Sequence, residues 1–127
     1  MQAQDVMTPN PATVSPQTSV ADVWDLMRQH AVRHMPVVER GVLVGMVSDR
    51  DLADGLRREL STPVVKVMSS DVVDVDPDAE LGEVVDLLVE NRIGAVHVVR
   101  PETQELVGIV SYIDVLAAVR DLLEVSE

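Results

Sequence analysis

The feature that most constrains this chain is that it contains itself twice. Val6-Met7 returns as Val67-Met68, and the same spacing of 61 residues pairs Val14 with Val75, Pro16 with Pro77, Val23 with Val84, Asp25 with Asp86, Leu26 with Leu87, and Val37-Val38 with Val98-Val99. Two extra residues in the next turn of the second copy widen the spacing to 63. At that spacing Leu43-Val44-Gly45 meets Leu106-Val107-Gly108, Val47-Ser48 meets Val110-Ser111, and Asp51 meets Asp114. A chain of 127 residues holds one compact domain or two half-sized units that share a core. The duplication points to the second arrangement.

Each copy reads in the same order. A short extended piece ends at Val14 or Val75 and is followed by a turn set by Pro16 or Pro77. Ser19 with Asp22 then has the spacing of a helix capping box, and Val20, Val23, Trp24 and Met27 recur at helical intervals, as do Leu81, Val84, Val85 and Leu88 in the second copy. Met35 to Val38 and Val96 to Val99 are apolar strands. They lead through Glu39-Arg40-Gly41, or Pro101 to Glu105, into Val42 to Val47 and Leu106 to Val110, which makes a hairpin. A second helix closes each copy, from about Asp49 to Arg58 and from about Tyr112 to Leu123. The expected fold is mixed α/β (α+β), two β-α-β-β-α repeats, with repeat 1 at 1–58, a linker at 59–66 in which Pro63 discourages helix, and repeat 2 at 67–127.

Composition narrows the function. With 46% apolar residues but no Phe, one Trp and one Tyr, the core must come from Val, Leu, Ile, Met and Ala. The absence of cysteine removes disulfides, thiolate catalysis and Cys-ligated metals. No apolar run approaches the roughly 20 residues that span a bilayer, and the first residues do not have the pattern of a signal peptide, so a cytoplasmic protein is expected. Ten basic residues against 22 acidic ones give a net charge of −12, which disfavours nucleic acid and anionic membrane as partners. An anionic ligand would need a local pocket of backbone N–H groups and one or two Arg.

The pattern Gly-apolar-Val-Ser-x-x-Asp occurs as Gly45-Met46-Val47-Ser48-Asp49-Arg50-Asp51 and again as Gly108-Ile109-Val110-Ser111-Tyr112-Ile113-Asp114. Occurring twice at matched places, it resembles the cystathionine-β-synthase-type (CBS) repeat, and the resemblance covers nearly the whole chain. It implies a pseudo-two-fold pair of CBS repeats, a Bateman module, with two clefts between them. In each Ser-x-x-Asp a strand ends at Ser and a helix starts at once, so free N–H groups and the helix dipole face an anion. The Ser hydroxyl can donate to a phosphate and the Asp can accept from ribose hydroxyls. The same residues can equally be read as an N-cap and an N3 carboxylate.

By analogy with nucleotide-binding members of the family, the cleft headed by Ser48, Arg50 and Asp51 is lined by Val72, Val73, Ile93, Gly94 and Ala95. The cleft headed by Ser111 and Asp114 is lined by Ala12, Val32, Arg33 and His34. The first carries a cation at Arg50 where the second has Ile113, and the second regains charge from Arg33 and His34, while solvated surface arginines are the alternative. His30 and His34 have the i, i+4 spacing of a zinc pair but lack a third ligand, so no metal is expected. His97 stands where Pro36 stands and reads as a strand residue. No P-loop, G-x-S-x-G or G-x-G-x-x-G occurs, and no catalytic residue or catalytic cofactor is expected.

The leading expectation is a regulatory, non-enzymatic sensor of an adenosine-containing nucleotide, of the AMP, ADP, ATP or S-adenosylmethionine class. The alternative is a ligand-free homodimerisation module that regulates a partner protein. In either case the output is expected to act in trans. The closing helix, with Val115, Leu116, Val119, Leu122 and Leu123, and the opening helices, including Trp24, carry more apolar surface than two thin sheets can cover. The family resemblance implies that the excess is buried in a homodimer, a helix–helix core within one chain being the alternative.

Overall fold

A computed structural model describes residues 1–57 and 59–125. The chain forms two compact units, one of Pro11–Val72 and one of Met1–Asn10 with Val73–Glu127. The first is the leading unit and the second the closing unit. The end of the first expected repeat and of its second helix, Arg58, lies outside the described residues, as do the last two residues of the second repeat.

In the leading unit, helix α2 (Val20–His30) starts at Ser19, whose side chain accepts from the Asp22 N–H at 3.2 Å. It buries Val20, Val23 and Met27, which share one stripe at helical spacing. Its last turn ends at Ala31 in the left-handed region, φ 53°. Strands β2 (His34–Glu39) and β3 (Val42–Ser48) form the antiparallel hairpin, Val37 and Val38 bracketing a bulge. Positive φ at both Arg40 and Gly41 gives the two-residue turn a backbone that matches the right-handed twist of the flanking strands. Helix α3 (Asp49–Leu56) follows β3 without a break.

Val14 bridges Val37 in parallel on one side of this hairpin, and Ser69 bridges Met46 in antiparallel on the other. Residues 59–66, expected as a linker, are bonded into this unit. The Val20 N–H donates to Thr62 O at 2.8 Å and the Val64 N–H to Thr18 O at 2.8 Å. Val64, at the head of a 3-10 turn (Val64–Lys66), is fully buried with Val14, Val20, Val23, Met27, Met35, Val37, Val47 and Leu52.

The closing unit repeats the plan. Helix α4 (Leu81–Asn91) buries Val84 and Leu88 and also ends on a left-handed residue, Arg92 at φ 53°. Strands β5 (Ala95–Val99) and β6 (Leu106–Ser111) pair antiparallel, and α5 (Tyr112–Val125) continues from β6. The four-stranded sheet runs β1-β6-β5-β4, where β1 is Thr8–Pro9 and β4 is Asp74–Val75. Short helix α1 (Ala3–Val6) precedes β1, with the Ala3 N–H donating to Ala79 O at 2.8 Å. Ala3, Val75, Val84, Leu88, Val96, Val98 and Val110 form its core.

The sequence repeats and the compact units therefore divide the chain differently. The Val6-Met7 segment, at the head of the first repeat, pairs beside β6 of the second, with Thr8 opposite Ile109. The Val67-Met68 segment, at the head of the second repeat, lies beside β3 of the first, with Ser69 opposite Met46. Each hairpin thus receives its outer edge from the other repeat. Gly45 and Gly108 are the positions that receive it. A Cβ on Gly45 would stand 2.6 Å from Met68 Sδ, and one on Gly108 would run into Met7 Sδ. The recurring Val-Met and Gly-x-Val-Ser signatures are two halves of one contact.

Candidate functional site

Both units end their hairpin on the same junction. In the leading unit Ser48 is the N-cap of α3: its Oγ accepts from the Asp51 N–H at 3.2 Å, and Asp51 Oδ2 accepts from the Ser48 N–H at 2.9 Å. This reciprocal pair satisfies two donors that a helix start otherwise leaves open. In the closing unit Asp114 Oδ2 accepts from the Ser111 N–H at 2.8 Å and from the Ser111 hydroxyl at 3.1 Å. Thr8 Oγ1 donates to Asp114 Oδ1 at 3.1 Å. The capping reading of Ser-x-x-Asp is thus realised twice. It does not use everything: among the described residues no hydrogen bond reaches Asp51 Oδ1, while both oxygens of Asp114 are engaged. Thr8 was not singled out from the sequence, although its pairing with Ser69 at the repeat spacing was there to be seen.

Strand register fixes what surrounds each junction. His34 opens β2 directly opposite Ser48, and the Asp49 N–H donates to Arg33 O at 3.0 Å. Arg33 and Arg50 are exposed, and His34, Ser48, Asp49 and Asp51 are half-buried. Burial lowers the His34 pKa from its ordinary 6.5; Asp49 and Asp51 oppose that shift and Arg33 adds to it. In the closing unit Ala95 stands opposite Ser111, and the Tyr112 N–H donates to Gly94 O at 3.2 Å. Ile93 packs on the core of that unit and Ala95 is buried.

These neighbours lie within one unit each, whereas the clefts expected from the sequence draw on both repeats. Arg33 and His34 were assigned to the cleft of Ser111, and Gly94 and Ala95 to that of Ser48. Antiparallel pairing within each hairpin sets the start of its first strand beside the end of its second, so each Ser-x-x-Asp also adjoins residues of its own repeat. Ala12 packs on the core of the leading unit, and Val32 lies there, exposed, at the entry to β2. Val72 ends the leading unit, and Val73 packs in the closing one with its carbonyl accepting from the His97 N–H at 3.0 Å. His97 itself is fully buried in β5.

Two hairpins, each passing its last serine into the cap of the following helix and each edged by a segment from the other repeat, define a tandem-repeat α/β module. The sequence profile of the CBS domain matches residues 3–58 and 64–121, and the chain belongs to that family. The CBS domain-containing protein YhcV of Bacillus subtilis (strain 168) is 40% identical over 111 residues, 85% of this chain and 78% of that one. The Vibrio cholerae protein AcuB superposes with a TM-score of 0.89 at 32% identity, covering 99% of this chain and 95% of that one. CBSX2, solved in complex with AMP, superposes with a TM-score of 0.82 at 29% identity, covering 99% and 98%. The chain spans less than half the length of several other curated relatives. The mixed α/β fold and the paired repeats expected from sequence are what these relatives have. Among the described residues no helix is long and apolar enough to cross a membrane.

Proposed function

We propose that the chain is a regulatory module that binds an adenosine-containing ligand, of the AMP, ADP, ATP or S-adenosylmethionine class, and catalyses no reaction. The observation that carries this reading is the junction at Ser48: a helix start with an exposed arginine, and a carboxylate with one oxygen still open as an acceptor. The N–H groups of Ser48, Asp49, Arg50 and Asp51 are already bonded within the unit, so it is the Arg50 side chain that suits a phosphate or carboxylate, and Asp51 Oδ1 that suits a ribose diol. The AMP complex of the similar CBSX2 supports the ligand class. Val73, Ile93, Gly94 and Ala95 beside Ser111 and Asp114 offer a second, less charged place for the same kind of ring. Thermal unfolding against adenosine, AMP, ADP, ATP and S-adenosylmethionine tests the proposal. A ligand of the native state raises the melting temperature progressively with its concentration, and a panel without any such rise overturns it.

The alternative, an assembly module, is favoured by a separate observation. Helix α5 exposes Ile113 at 73%, Leu116 at 62% and Leu122 at 55%, with Tyr112, Val119 and Leu123 also exposed, which is more apolar surface than a lone helix usually shows to water. We read that face as the contact of a homodimer, which is compatible with ligand binding. The expected result in analytical ultracentrifugation is a dimer in the micromolar range that Leu116→Asp converts to monomer. A wild-type monomer at every concentration overturns the dimer.

A further inference from the structure

The Ser48 junction and the Ser111 junction share a plan and differ in charge. Residues 32–34 and 48–51 hold Arg33, His34, Asp49, Arg50 and Asp51; the matching residues 93–95 and 111–114 hold Asp114 as their only charged side chain. With His34 neutral, two arginines and two aspartates cancel. A single proton on His34 turns the leading junction net positive. We propose that His34 couples ligand binding at the Ser48 junction to proton uptake, so that this junction selects a phosphate-bearing ligand and selects it more strongly as the pH falls. The closing junction, with no such cation, takes the adenosine part with little regard for phosphate or pH. This rests on the adenosine-ligand reading and names its chemical form.

The register pair His34–Ser48 holds the imidazole beside the capped helix start, and the Asp49 N–H bond to Arg33 O ties the entry of β2 to the same turn. The groups acting on His34 are Asp49 and Asp51 from α3 and Arg33 beside it. Arg50 is on the same helical turn. Burial keeps the free imidazole neutral at pH 7, which leaves a proton to be taken up when a phosphate dianion arrives. The sign follows from that: the bound state holds the proton more tightly than the free state, so affinity rises as the pH falls toward the range where the free imidazole titrates. The gain is lost at alkaline pH. A chain carrying −12 repels phosphates at long range, which gives this one local charge more influence.

Because the folded chain holds His34 below the ordinary 6.5, the free protein also loses stability as the pH falls below that value, and a bound phosphate offsets the loss.

The test is calorimetric titration of the full chain with AMP and with adenosine at pH 6 and pH 8. The phosphate of AMP itself titrates near pH 6, so the comparison that counts is wild type against His34→Gln, in which the ligand's own titration cancels. The expected result is that wild type gains about threefold or more in AMP affinity over His34→Gln on going from pH 8 to pH 6. Adenosine should bind both with little dependence on pH. His34→Lys, a permanent cation, should bind AMP at pH 8 more tightly than wild type does at the same pH. Melting curves confirm that both variants are folded. AMP binding with the same pH dependence in wild type and His34→Gln overturns the role of His34 and leaves the nucleotide reading standing. A wild type that binds neither probe overturns both.

Discussion

Replacing Asp51 by alanine is expected to weaken AMP binding about ten- to a hundredfold, the size of one charge-assisted hydrogen bond in a partly buried site. The two Asp51 oxygens differ: Oδ2 accepts the Ser48 N–H at 2.9 Å, and among the described residues no hydrogen bond reaches Oδ1, the oxygen proposed for the ligand. Alanine removes both, so the variant also loses the Asp51 half of the capping box, at a cost of about 0.5–1.5 kcal/mol in stability, the size of one hydrogen bond. Asp51→Asn separates the two. Its carbonyl oxygen can still accept the Ser48 N–H, while its amide group cannot accept from a ribose hydroxyl. The asparagine variant should therefore melt close to wild type and still bind AMP weakly. Asp114→Ala should have the smaller effect on binding at the Ser48 junction, since both Asp114 oxygens already serve Ser111 and Thr8 in the other unit. Isothermal titration decides: tight AMP binding that neither Asp51 substitution changes removes Asp51 from the site.

The repeat made most of the fold legible. Expected strands at Met35 to Val38 and Val96 to Val99 appear as His34–Glu39 and Ala95–Val99, and the closing helix expected from Tyr112 to about Leu123 runs to Val125. These elements are written in local periodicity, and two copies give each reading a check. The helix stops carried no such signal. Ala31 and Arg92 both take left-handed φ where a glycine would have announced the cap. The exchange of leading segments was illegible for a different reason. Val6-Met7 and Val67-Met68 are near copies, and Gly45 and Gly108 are equivalent seats, so composition and spacing leave the partner choice open. Only tertiary connection resolves it. The same limit explains the candidate site. Ser48, Asp51, Ser111 and Asp114 could be named from a heptapeptide, but which strand start stands beside each is a matter of register.

Adding a methyl group at the two glycine seats should expose that exchange in solution. Gly45→Ala and Gly108→Ala are each expected to destabilise the protein by about 1–3 kcal/mol, the range for overfilling a packed site. They should differ in how they can be rescued. The three atoms nearest a new Cβ at Gly108 all belong to Met7: its Sδ, its Cγ at 2.8 Å and its Cβ at 3.1 Å. Shortening that side chain clears most of the clash, so Gly108→Ala should cost little in a Met7→Ala background. The Cβ at Gly45 meets Met68 Sδ at 2.6 Å and also the carbonyl oxygen of Ser69 at 2.9 Å. That carbonyl accepts the Met46 N–H at 2.9 Å and cannot retreat without breaking the bridge. Gly45→Ala should thus stay destabilising in a Met68→Ala background. Urea unfolding of the two double-mutant cycles measures both couplings, and a value well above about 0.5 kcal/mol for Met7 with Gly108 requires the two residues to be in contact. Equal penalties for Gly108→Ala with and without the Met7 side chain would detach the first ten residues from β6 and return them to the repeat in which the sequence places them.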